Sequence, residues 1–103
     1  MSAATLTRTT ARTCPPWCRK HGTDPDGSIC HEGEPITVQA AGGGNLVAGE
    51  VDLYLNRFDE YGITGQAAIV ITASPDGIDL TAAEARQVAA AVLYLAEQLE
   101  ATR

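Results

Sequence analysis

A chain of 103 residues, 45% of them hydrophobic, is long enough for one domain with its own core and too short for two. Seven Lys and Arg against 13 Asp and Glu leave a net charge of −6. That balance excludes a general polyanion binder, because phosphate contact needs basic residues clustered over a face, and no apolar run approaches the roughly 18 residues of a membrane-spanning helix.

Residues 1–13 are Ser-, Thr- and Ala-rich, with Arg8, Arg12 and, after Met1, Leu6 as the only bulky apolar side chain. They offer too little apolar surface to offset the entropy of ordering, and no apolar centre of a secretory signal. The expectation is a disordered tail on a cytoplasmic protein.

Cys14-Pro-Pro-Trp17-Cys18-Arg-Lys-His21 follows, and then Cys30-His31, so that all three cysteines and both histidines lie within 18 positions. An odd number of cysteines fits a disulfide framework poorly, whereas zinc takes thiolate and neutral imidazole in a tetrahedron. Cys14, Cys18, His21 and either Cys30 or His31 are the candidate ligands of one Zn2+, five side chains for four positions. A catalytic zinc needs an open position and a base, for which Glu32 and Asp26 are the candidates; a surplus of ligands favours a closed, structural site. Between the two groups, Asp24-Pro25-Asp26-Gly27 has the composition of a turn that folds Cys30 and His31 back toward the first ligands. It is not a calcium loop, since Ile29 stands at the sixth position and Pro35 at the twelfth.

After Pro35 the period changes to two. Ile36-Thr-Val38-Gln39 alternates, Gly42-Gly-Gly-Asn45 breaks the pattern, and Val47–Asn56 resumes it with Val51, Leu53 and Leu55 on one face and Glu50, Asp52 and Tyr54 on the other. Val51, Leu55, Phe58 and Tyr61 also fit helical spacing, but the strict alternation and flanking glycines favour a strand. Arg57–Gly65 reads as a polar loop, and Gln66–Ala73, with Ile69, Val70 and Ile71 in a row, as a third strand ended by Ser74-Pro75-Asp76-Gly77. Thr81 and Glu84 form a capping box ahead of Val88, Val92, Leu95 and Leu99, the stripe of an amphipathic helix over 81–100. Ala85, Ala89, Ala96 and Leu93 flank that stripe, with Arg86 and Glu97 on the wet side.

The predicted fold is α+β: a tail at 1–13, then a single zinc-stabilised domain over 14–103. Within it lie a zinc knot (14–35), a three-stranded antiparallel sheet (36–80) and one C-terminal helix (81–100) packed on the sheet.

Cys-Pro-x-Trp-Cys-x-x-His, a His-x-Gly and a closing Leu-Thr-x-x-Glu-Ala-Arg helix together resemble an uncharacterised family of small actinobacterial proteins of unknown function. The shared positions are Cys14, Trp17, Cys18, His21, His31-Glu-Gly33 and Leu80-Thr81-Ala-Ala-Glu84-Ala85-Arg86. Cys30 departs from the pattern, so the resemblance implies His31 rather than Cys30 as fourth ligand. It implies no activity.

Gly42-Gly43-Gly44 lacks the residues of a phosphate loop, and Ser28 and Ser74 have no histidine partner in a nucleophile motif, so no enzyme is expected. The function classes that remain are a metal-binding module for protein–protein interaction or regulation and, as the alternative, a nucleic-acid module using Arg8, Arg12, Arg19, Lys20 and a stacking Trp17. The thirteen acids oppose the second. A homodimer would pair through a sheet edge or the Ala-rich helix flank, and a different protein partner would use the same open surface.

Overall fold

The computed structural model describes residues 14–23, 25 and 27–102; the expected tail, and Asp24 and Asp26 of the expected turn, lie outside the described residues. Among the described residues six elements follow one another: β1 (Cys18–Thr23), β2 (Ile29–Gly33), β3 (Ile36–Ala40), β4 (Gly49–Asp59), β5 (Ala68–Ser74) and α1 (Ala82–Ala101). The α+β class and the C-terminal helix are as expected, but the sheet has five strands, not three. The two extra strands come from the segment read as a knot. β1 is exposed from Arg19 to Thr23, so it carries no apolar alternation by which a sequence would betray it.

β4 is the axis of the sheet. Its Leu53 pairs with Ile36 on one side and Ile71 on the other, and its Asn56 with Glu32 and Ala68. β2 and β3 therefore lie end to end along one side of β4, with β5 along the other, and β1 extends the sheet beyond β2. All pairs are antiparallel. The register against β4 steps by one residue between β2 and β3, where Pro35 has no N–H to give to a ladder.

Val51, Leu53 and Leu55 are buried on the inner face of β4, joined by Val38 of β3. Opposite them, Thr37 donates to Asp52 (2.5 Å) and Gln39 to Glu50 (3.0 Å), so the outer face is a polar surface stitched by cross-strand pairs. The strand reading of this segment holds, and it runs further than expected. β4 continues to Asp59, so Arg57 and Asp59, assigned to a polar loop by their chemistry, stay on the inner face by period two.

Thr81 caps α1, accepting from the Glu84 N–H while Glu84 accepts from the Thr81 N–H. Leu95 and Ala91 are buried, with Val88, Val92 and Leu99 half-buried around them, as the stripe predicts; Leu93 faces solvent. α1 packs on β3, β4 and β5. Toward β2 the inner face is covered instead by Trp17, whose ring lies over Gly33: a Cβ there would stand 3.4 Å from Trp17 Cε3.

Candidate metal centre

The chain enters the sheet through a tight turn in which the Cys18 N–H donates to the Pro15 carbonyl (3.0 Å), placing Cys14 beside the start of β1. A register irregularity between Cys18 and Lys20 re-aims the strand. Beyond it, His21 of β1 is paired with His31 of β2, which is paired with Arg57 of β4. Directly paired residues share a face, so the three form a row across the inner side of the sheet. Cys30 is one residue out of that row and takes the other face, where its thiol donates to Asn56 Oδ1 (3.1 Å).

Cys14, Cys18, His21 and His31 each offer one ligand atom, all within 4.8 Å of one another. Cys14 Sγ lies 2.9 Å from His21 Nε2 and 3.8 Å from His31 Nδ1; Cys18 Sγ lies 3.8 Å from His21 Nε2 and 3.5 Å from His31 Nδ1. Metal–ligand lengths of about 2.3 Å to sulfur and 2.0–2.1 Å to nitrogen give a sulfur–nitrogen edge of about 3.5 Å in a tetrahedron. Three of the four edges lie close to that value, and the donor set suits a metal ion. Burial first, and the neighbouring Cys18 second, push the Cys14 thiol above its ordinary value. That shift favours the neutral thiol, and a metal ion bound there would favour the thiolate instead.

His31 is fully buried, and its second nitrogen is also engaged: Nε2 donates to Asp59 Oδ2 at 2.8 Å. Arg57 grips the same carboxylate through Nε to Oδ1 (3.0 Å) and Nη2 to Oδ2 (2.9 Å), and the Gly65 N–H donates to Oδ1 (2.9 Å). Burial pushes the Asp59 carboxyl up, but the hydrogen bonds from Arg57, Gly65 and His31 outweigh it and hold the group below the ordinary carboxylate range. Histidines that bind metal commonly give their other N–H to such a carboxylate.

A family model for a domain of unknown function, DUF6907, matches residues 2–103. The chain belongs to this family. Comparison with curated proteins and with solved structures returns no match. Membership agrees with the uncharacterised family expected from the motifs and brings no activity with it.

In this DUF6907 chain the expected ligands meet, and the fifth candidate, Cys30, is left out. Glu32, considered as a base, is paired with Lys20 and Asn56, next to the His21–His31–Arg57 row and on the opposite face. Asp26 lies outside the described residues. Trp17 is 6% exposed, so its ring is not available to stack on a nucleic-acid base, contrary to that alternative reading. Of the four basic residues in that reading, Arg19 and Lys20 lie on β1, and Arg8 and Arg12 fall outside the described residues. Sequence reasoning missed Asp59, Arg57 and Gly65. The signal was present: extending the alternation of Val51, Leu53 and Leu55 by two steps reaches Arg57 and Asp59. Among the described residues no helix is long and apolar enough to cross a membrane.

Proposed function

We propose that the chain is a zinc-stabilised, non-catalytic module for protein interaction or regulation, working in the reducing cytoplasm. Cys14, Cys18, His21 and His31 are its four ligands. The observation that carries this reading is the convergence of two thiols and two imidazoles at edges near those of a tetrahedral site; the pairing of soft sulfur with nitrogen favours zinc. Zn2+ would supply folding free energy at the end of the sheet that the helix does not cover, replacing an apolar core. Four protein ligands leave no open position for substrate, and Glu32 is turned away from the cluster, which supports a structural centre.

The partner surface is proposed at β5. Its sequence, Ala68-Ile-Val-Ile-Thr-Ala-Ser74, carries no charge and no proline, and among the described residues no strand pairs with its outer side. Ile71, on the same sheet face as its partner Leu53, is 54% exposed. Soluble proteins usually blunt such edges with charge, proline or a bulge; an edge left plain suits pairing with another strand, from a partner or a second copy.

Metal analysis of protein purified without chelator should return about one zinc per chain, as one four-ligand site requires. Cys14→Ser and Cys18→Ser should release it, and Cys30→Ser should keep it. Much less than half an equivalent in the unaltered protein, or loss of zinc with Cys30→Ser but not with His31→Ala, rejects the assignment.

A further inference from the structure

Asp59 stands 8% exposed on the inner face of the sheet, with four donors on its two oxygens: Arg57 Nε and the Gly65 N–H on Oδ1, and Arg57 Nη2 and His31 Nε2 on Oδ2. A carboxylate at that depth costs free energy unless it is fully hydrogen-bonded, and here it is. Its bonds run in two directions. One reaches the ring of His31, whose opposite nitrogen, Nδ1, lies among the two sulfurs. The other reaches Gly65, two residues beyond a turn that begins directly after Asp59. Glu60 and Ile63 exchange backbone hydrogen bonds (3.0 and 2.8 Å), with positive φ at Tyr61 (51°) and Gly62 (78°) between them. Positive φ at both central residues is the tight hairpin turn, and a tyrosine there bears a conformational cost that Asn or Gly would largely avoid. The turn holds Tyr61 at 73% and Ile63 at 72% exposure.

We infer that Asp59 is a positioning residue for the metal centre, fixing His31 so that Nδ1 faces the metal and, through Gly65, tying the Tyr61–Ile63 turn to metal occupancy. This rests on the metal reading above and deepens it. His31, Asp59 and Gly65 form one continuous chain of hydrogen-bonded groups that a metal ion on Nδ1 would extend, so loading the site would steady the turn, and emptying it would release the turn's base. The exposed aromatic and aliphatic side chains at the tip are thereby presented in one orientation only in the loaded protein.

The test compares zinc affinity, by chelator competition, in the unaltered protein, in Asp59→Asn, and in Asp59→Asn combined with Arg57→Gln. Loss of an outer-shell carboxylate typically weakens metal binding about 10–100-fold, and Asp59→Asn should fall in that range. The single variant also leaves a half-buried guanidinium without its carboxylate, so its melting temperature drops; the double variant removes both charges and should recover much of it. Positioning predicts that affinity stays low in the double variant while melting recovers. Affinity returning to the unaltered value in the double variant would make Asp59 a charge partner of Arg57 and overturn the inference. Nitrogen NMR on the zinc-loaded unaltered protein gives an independent reading should a variant not fold. His31 should be ligated through Nδ1 with the proton on Nε2, and Gly65 amide exchange should slow on loading. Ligation through Nε2, or a Gly65 amide indifferent to zinc, overturns it. A protein that takes up no zinc fails the parent reading as well, whereas one that binds zinc equally with and without Asp59 fails this inference alone.

Discussion

Gly65 has no room for a side chain, because a Cβ would collide with the carbonyl oxygen of Phe58. Gly65→Ala must push the chain away and lift the N–H from Asp59. The expected cost is about 1–3 kcal/mol, the usual range for forcing a methyl into packed structure, measured by urea unfolding, together with weaker zinc retention. An alanine variant with unaltered unfolding would mean that the turn is not seated on the strand as described. Leu95 makes the complementary test at the other end of the molecule. It is 2% exposed in the centre of the helix stripe, and Leu95→Ala should cost about 2–5 kcal/mol through lost burial and the cavity left behind. Since Leu95 is not part of the metal cluster, zinc stoichiometry should not change.

At the scale of elements, the start of α1 is pinned to the end of β3. Glu84 accepts from the Ala41 N–H (2.9 Å) and from the Thr81 N–H (2.9 Å), and these two bonds, Ala41 first, hold its carboxyl below the ordinary value of 4.5. A carboxyl with a lowered folded value stabilises the fold fully above its unfolded value and loses that contribution as pH falls through the folded one. The melting difference between the unaltered protein and Glu84→Gln should therefore be largest above pH 4.5 and shrink as the solution is acidified below it. A difference that does not vary with pH would detach Glu84 from the cap. The β5 edge makes a second claim at this scale. Ile71→Lys places a charge on the open strand, so any self-association through that edge should weaken while the fold, whose packing there is half-exposed, persists.

For the whole molecule, the Cys/His cluster and the helix cover different parts of one sheet. Removing zinc should loosen the segment carrying Cys14 and Trp17 together with β1 and β2, while α1 stays packed on β3, β4 and β5. Trp17 is the only tryptophan, so its fluorescence reports the first change without interference, and helical circular dichroism reports the second. Chelation should move the emission to longer wavelength with little loss of helix. Simultaneous loss of both signals would show that the two halves fold as a single unit dependent on metal. Light scattering addresses association: twice 10.8 kDa, returning to 10.8 kDa in Ile71→Lys, is expected for pairing of two copies through β5, and 10.8 kDa throughout leaves the edge to a different protein.

Local chemistry made the ligand cluster, the helix and the middle of the sheet readable from the sequence. Thiols and imidazoles crowded within a few residues mark a cluster that could hold a metal, a capping box and a 3–4 spacing announce a helix, and strict alternation announces a half-buried strand. The sequence left Cys30 and His31 as rivals from the residues themselves, and only the resemblance favoured His31. The tertiary structure separates them because neighbours on a strand point to opposite faces, and the register of β2 against β1 and β4 puts His31, not Cys30, in line with His21 and Arg57. β1 and β2 were hidden because ligands, charges and glycines occupy positions where apolar alternation would otherwise appear. Asp59 and Arg57 were hidden for the opposite reason: charged residues at the end of a strand resemble a loop until their buried partners are known. Those partners are His31, distant in sequence, and Gly65, beyond a turn, and only the folded chain brings them to one carboxylate.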